Sequence, residues 1–261
     1  MNLDLSDKRA VVCGSTQGIG KAAALELALL GANVTLIARD EAKLQQVLKE
    51  LHSTSAQQHE YLVADFNSVF DLKSKAEAYA AKHMVHILVN NTGGPAAGKA
   101  IDANLDDFAK AFSNHLLCNQ VLVQAFTPSM KKNNYGRIIN VISTSVKIPI
   151  AGLGVSNTVR GAVANWAKTL SLELGQFGIT VNNVLPGATF TGRLESLIKN
   201  KADKAGKHES EILNEMIAEI PARRIGDAAE IAAAIAFLAS PAAAYINGVN
   251  LAVDGGRTGS L

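Results

Sequence analysis

Cys13-Gly14-Ser15-Thr16-Gln17-Gly18-Ile19-Gly20 is the stretch on which the fold turns. It follows the short apolar run Ala10–Cys13. It precedes Lys21–Leu30, where apolar residues recur at helical spacing up to Gly31, a plausible C-cap glycine. Strand, glycine-rich turn and helix together make an anion site. Glycines let the backbone approach a pyrophosphate, and a helix N-terminus offers unpaired N–H groups and the positive end of its dipole. Gly14, Ser15, Thr16, Gln17, Gly18, Ile19 and Gly20 are therefore candidate dinucleotide contacts. The spacing is Gly-x-x-x-Gly-x-Gly, not the commoner Gly-x-Gly-x-x-Gly. Three glycines in a turn also serve tight packing alone.

Six further short runs follow: Val34–Ala38, Tyr61–Ala64, Ile87–Val89, Ile138–Ile142, Ile179–Leu185 and Val249–Val253. Several are β-branched and almost continuously apolar, as strands are when helices cover both faces of a parallel sheet. Helix-like segments lie between them: Glu41–Leu51, Ser68–Lys82, Leu105–Met130, Gly154–Phe177 and Ala228–Ala239. This alternation predicts an α/β chain with one doubly wound parallel sheet of about seven strands, and a single domain over 1–261. Charges interrupt the apolar second half at 191–224 (Arg193, Glu195, Lys199, Lys201 and others). That lid-like insertion reads either as a solvated helical pair or as a mobile cover over a pocket.

Composition excludes other classes. Apolar residues are 48% and charged residues 18% of 261, which leaves ample core and argues against disorder. Lys+Arg number 25 against 23 Asp+Glu, so no nucleic-acid surface is expected. Cys13 and Cys118 are too few for a disulfide framework or a zinc site and fit a reducing, cytoplasmic compartment; no metal is expected. MNLDLSDKRA is not a signal peptide. The uncharged run Ile231–Val253 is long enough for a membrane span, but Pro241, Asn247, Gly248 and Asn250 predict a helix, a turn and a strand instead. The second strand ends Ile37-Ala38-Arg39-Asp40. Ala38 stands where an acid would hold a ribose 2′-hydroxyl, and Arg39 suits a 2′-phosphate, so NADP(H) is expected over NAD(H).

With Gly14, Gly18 and Gly20, further marks appear in order: Asp65 and Phe66 after the third run, Asn90-Asn91-Thr92-Gly93 after the fourth, Pro186-Gly187 with Thr189 and Thr191 after the sixth, and Asp254-Gly255-Gly256 near the end. From end to end the chain resembles the short-chain dehydrogenase/reductase family. Ile220–Gly226 is most similar to its 3-oxoacyl-(acyl carrier protein) reductases. The resemblance implies a Rossmann-type fold and a small carbonyl or alcohol substrate. It also implies cofactor contacts from Asp65, Phe66, Asn91, Gly93, Pro186, Gly187, Thr189 and Thr191. It further implies a homodimer or homotetramer in which helices 105–130 and 154–177 pair with their copies.

The departures bear on the chemistry. The family uses a Ser, a Tyr thirteen residues on, a Lys four residues later, and an Asn in the helix after the fourth strand. Ser143 fits the Ser. The Tyr position holds Ser156, the Lys position Arg160, and the Asn position His115, or the adjacent Asn114 if the register slips by one. A Tyr delivers a proton because a neighbouring Lys lowers its pKa from about 10 toward neutrality. A serine hydroxyl is a far weaker acid, and arginine does not deprotonate in the working range. Arg160 can still supply a fixed charge and grip ribose hydroxyls, as the family Lys does. Ser143 and Ser156 can both donate to a carbonyl oxygen. His115, with an ordinary value near 6.5, and Lys147 are other proton sources to weigh, as is water. Two readings follow: an NADP(H)-dependent oxidoreductase with a rebuilt proton-delivery site, or a non-catalytic NADP(H)-binding sensor or assembly partner. Gly94, Pro95, Ile148, Ile150, Leu153 and Phe190 are expected to line a mostly apolar substrate pocket.

Overall fold

Every apolar run becomes a strand in a computed structural model of the chain, which describes residues 1–260. The strands are β1 (Arg9–Cys13), β2 (Asn33–Ala38), β3 (Glu60–Val63), β4 (Ile87–Asn90), β5 (Gly136–Val141), β6 (Ile179–Pro186) and β7 (Asn250–Val253). They form one sheet in the order β3-β2-β1-β4-β5-β6-β7, with every pair parallel. The direction of winding reverses between β1 and β4. In such sheets that switch opens a crevice beyond the strands' carboxyl ends.

Helices α1 (Gly18–Leu29), α2 (Glu41–Glu50) and α9 (Ala228–Ala239) cover one face, α1 and α2 burying Ala24, Leu27 and Leu44 over β1 and β2, and α9 burying Ile231 and Ile235 over β5 and β6. On the other face α3 (Val69–Ala80), α5 (Cys118–Lys132) and α6 (Gly154–Leu174) bury Leu72, Leu122, Phe126 and Ala167. The small residues on these helices bring them close to the β-branched sheet.

Three expectations are refined. Residues 105–130 are not one helix. α4 (Leu105–Phe112) runs into a π turn over Ser113–Leu117 before α5 begins. One extra residue per turn leaves no mark in the apolar pattern. The 231–253 run resolves into the end of α9, a 3-10 turn (Pro241–Ala243), a bend at Gly248 (φ +74) and β7. Among the described residues no helix is long and apolar enough to cross a membrane. Segment 191–224 holds two helices, α7 (Gly192–Ala205) and α8 (Glu209–Ala218), with a small core of their own from Leu194, Ile198, Ile212 and Ile220.

Candidate active site

A cavity of about 900 Å³ follows the carboxyl ends of the strands from β2 to β6. Its floor begins at the glycine loop. Gly14 and Gly18 have positive φ (+59 and +52), a conformation most side chains disfavour. At Gly20 a Cβ would meet Gly14 O at 2.2 Å. Asn91 Nδ2 ties the loop down by donating to the carbonyls of Cys13 (3.2 Å) and Gly14 (3.3 Å). Gln17, the N-cap of α1, makes no side-chain capping bond, and the first turn of α1 has no acid. Its N–H groups are thus left to an outside anion. This cradle fits the pyrophosphate of a dinucleotide.

Gly14, Thr16, Gln17, Gly18 and Ile19 line the cavity. Ser15 does not. It is wholly buried, and its hydroxyl donates to Ile37 O at 3.4 Å, because the strand's alternation turns it into the β1–β2 contact. Gly20 lies beneath the wall and acts by its lack of a side chain. At the end of β2, Arg39 is exposed at the rim, joined by Lys43, which the sequence did not single out. The neighbouring Asp40 is committed elsewhere, its Oδ1 accepting from Lys43 N at 3.1 Å to cap α2. Asp65, Phe66, Asn91, Gly93, Pro186, Gly187, Thr189 and Thr191 all face the cavity.

Beyond β4 the same cavity is walled by Ser143, Ser156 and Arg160. Ser143 follows β5, and its Oγ accepts from Ser145 N at 3.1 Å, which fixes it at the start of a 3-10 turn. Ser156 and Arg160 are four apart on α6 and so share one face. Arg160 is only 8% exposed, and its Nη1 donates to Val141 O at 2.9 Å. Burial, and then the Arg193 charge, lower its pKa to about 10, so it remains a cation at neutral pH.

His115 departs from expectation. It sits in the π turn, 2% exposed and outside the lining, with Nδ1 hydrogen-bonded to Thr92 Oγ1. Burial, and then the Arg160 charge, push its pKa down to about 3. It is neutral at pH 7 and is not the proton donor its ordinary value suggests. Lys147 is half-buried and does not line the cavity. Of the expected substrate-pocket residues, Gly94, Ile150 and Leu153 line it, whereas Pro95, Ile148 and Phe190 do not.

Thr92 and Arg193, neither foreseen as a site residue, also line the wall, as does Asn114 of the π turn. Thr92 joins the cavity to His115. Arg193, in the first turn of α7, reaches across to donate to Pro95 O. The sequence signals for Arg193 were its place two residues past Thr191 and its charge within the lid-like insertion 191–224.

A family model described as "Enoyl-(Acyl carrier protein) reductase" matches residues 14–258. The chain is 29% identical over 261 residues to the NADPH-dependent reductase BacG of Bacillus subtilis, covering 98% of this chain and all of that one. It is 31% identical to the 7alpha-hydroxysteroid dehydrogenase of Escherichia coli, over all of this chain and 98% of the relative. The solved structure of L-sorbose reductase from Gluconobacter frateurii, complexed with NADPH and L-sorbose, superposes over all of both chains with a TM-score of 0.92 at 26% identity. The chain belongs to the short-chain dehydrogenase/reductase family. Ser143, Ser156 and Arg160, the residues that the sequence reading set against the family's Ser, Tyr and Lys, all face the cavity.

Proposed function

We propose that this protein is an NADPH-dependent oxidoreductase interconverting a small carbonyl compound and its alcohol. The observation that carries it is one continuous cavity joining the dinucleotide cradle to Ser143, Ser156 and Arg160. The glycine loop, the α1 N-terminus, Asp65 and Thr189 would hold the cofactor, with Arg39 and Lys43 at its 2′-phosphate. NADPH supplies a hydride when bound. Ser143 and Ser156 donate hydrogen bonds to the substrate oxygen, and Arg160 stabilises the negative charge that develops there. The proton comes from water, because none of these three groups is a good acid at neutral pH.

The missing acid also favours a second substrate type. Hydride addition to the β-carbon of a conjugated carbon–carbon double bond leaves an enolate, whose oxygen is a weaker base than the alkoxide of a reduced ketone; hydrogen bonds from Ser143, Ser156 and Arg160 would hold that oxygen while water protonates the α-carbon to give the saturated carbonyl. We further propose that segment 191–224 acts as the cover of this cavity, since α7 supplies Arg193, Lys201 and Lys204 to its wall. The protein is taken to work in the cytoplasm, where the buried, free Cys13 and Cys118 stay reduced.

Single-turnover NADPH oxidation with ketones, 3-oxoacyl thioesters and enones tests the reading, with products resolved as alcohol or saturated ketone. Ser156→Ala should slow turnover severalfold without weakening NADPH binding. Ser156→Tyr with Arg160→Lys should raise ketone turnover, because one positioned acid is worth 10²–10⁴-fold. Calorimetry should show NADPH binding about tenfold to a hundredfold more tightly than NADH. Tight NADPH binding with no turnover of any substrate would return the non-catalytic sensor to the fore.

A further inference from the structure

The charges on the cavity wall are unevenly shared. Among the described residues its only acids are Asp40 and Asp65. Both lie at the β2–β3 end, Asp40 capping α2 and Asp65 accepting from Asn67 N at 3.0 Å. Past β4 the wall carries Lys110, Arg160, Arg193, Lys201, Lys204 and Arg257 and, among the described residues, no acid. Arg257 is paired with Glu219. Arg160 and Arg193 make no salt bridge among the described residues; their only hydrogen bonds there run to the carbonyls of Val141 and Pro95.

Two like charges held close in a partly desolvated space repel, and the field of Arg193 is felt at Arg160. Arg193 also sits in the first turn of α7, where the helix dipole disfavours a cation. Thr191 already caps that helix through Leu194 N, and among the described residues no acid lines this end of the cavity. A guanidinium pair with spare donors and no counterion suits a carboxylate, which accepts two parallel N–H bonds. Gly94 lies under the Arg193 guanidinium, a Cβ there coming within 3.6 Å of its Nη2, so the head group lies over a smooth floor.

We infer that the substrate is an anionic carbonyl compound, a keto acid, whose carboxylate is bound by Arg193 in the field of Arg160. For the reaction this rests on the oxidoreductase reading; for the ligand it rests on the charge pattern alone. The cofactor's phosphates are the competing claimants for Arg193, although the bare N-terminus of α1 already serves them.

The test pairs each acid with its neutral ester: 2-oxo-4-phenylbutanoate with its ethyl ester, and 4-oxopentanoate with its methyl ester. Wild type should favour the acid in kcat/KM by at least about tenfold, the low end of a charge-assisted contact. Arg193→Gln should collapse the ratio toward one through KM, and Arg193→Lys should retain part of it. A second arm measures binding by calorimetry, using 4-phenylbutanoate against 4-phenylbutanamide with and without NADP⁺. Arg193 is exposed, so these variants should fold. Equal use of acids and esters would overturn the inference while leaving the oxidoreductase reading standing. So would an Arg193→Gln variant that keeps the acid preference but binds NADPH ten times more weakly, which would give the residue to the cofactor. Selective, Arg193-dependent binding of the carboxylate with no turnover of any substrate would uphold the anion site and sink the oxidoreductase reading.

Discussion

His115 and Arg160 illustrate how one buried cation sets its neighbour's protonation. The imidazole is held in a π turn, shielded from water and close to a guanidinium that remains charged, and both effects favour its neutral form. A histidine with a depressed folded pKa binds fewer protons folded than unfolded. Its stability contribution is therefore complete above the ordinary value near 6.5 and is lost as pH falls toward about 3. From pH 7 to pH 5 the loss from this residue is roughly 2 kcal/mol. His59 and His86 are shifted the same way by burial and add to the acid sensitivity. We predict that His115→Asn flattens the fall in Tm between pH 7 and pH 5 relative to wild type. Parallel curves for the two proteins would show that the imidazole is not held neutral. The places of Ser143, Ser156 and Arg160 were legible because β5, its following turn and α6 are close in the chain, so thirteen- and four-residue spacings become geometry. Arg193 and the Thr92–His115 contact were not, because each joins segments far apart in sequence (98 and 23 residues).

At the level of elements, four asparagines form a ladder across the sheet. Asn90 Nδ2 donates to Asn140 Oδ1 at 2.8 Å, Asn140 Nδ2 to Asn183 Oδ1 at 2.9 Å, and Asn183 Nδ2 to Asn250 Oδ1 at 2.8 Å. They are register partners on β4, β5, β6 and β7, so the parallel pairing stacks their amides in one row. This row fixes the strand ends that carry Asn91, Ser143 and Pro186 into the cavity. Asn140 is fully buried at its centre, whereas Asn250 is exposed at its edge. Asn140→Ala leaves one donor and one acceptor unpaired in the core and should cost roughly 2–4 kcal/mol in urea unfolding; Asn250→Ala should cost less than about 1. Equal losses for the two would show that the ladder is not cooperative support. Sequence reading found all seven strands to within two residues, since continuous β-branched runs are a strong signal. It could not find the ladder, because a row of partners depends on which strands are neighbours. Nor could it find the π turn over Ser113–Leu117 that breaks 105–130; within α5, which runs on through Pro128, Thr127 Oγ1 bonds back to Val123 O at 2.6 Å.

For the whole molecule the question is what covers the outer side of α4 and α6. Both helices bury one side on the fold and leave apolar side chains on the other: Leu105 is 86% exposed, Phe112 41% and Leu172 74%. Between the helices lies a shallow groove of about 380 Å³ lined by Phe108, Ala109, Phe112, Thr158, Val159 and Ala162, with almost no polar surface. Apolar patches of this kind on a single chain mark a contact surface. Family membership points to a second copy of the chain related by a two-fold axis, in which each Phe112 would meet the partner's equivalent surface and α6 would lie against its own copy. In such an isologous contact one substitution acts twice, once from each side. We propose a homodimer or homotetramer and predict a light-scattering mass of two or four times 27.4 kDa at micromolar concentration. Phe112→Lys places two like charges in the contact and should bring the mass down to one or two chains. Because Phe112 is partly exposed and contributes little to the core of its own chain, the variant should keep a Tm within a few degrees when measured below its association threshold. A wild-type mass of 27.4 kDa at those concentrations would refute the assembly. An unchanged mass for Phe112→Lys would move the contact to another face, with the fully exposed Tyr245 beyond α9 as the next position to test.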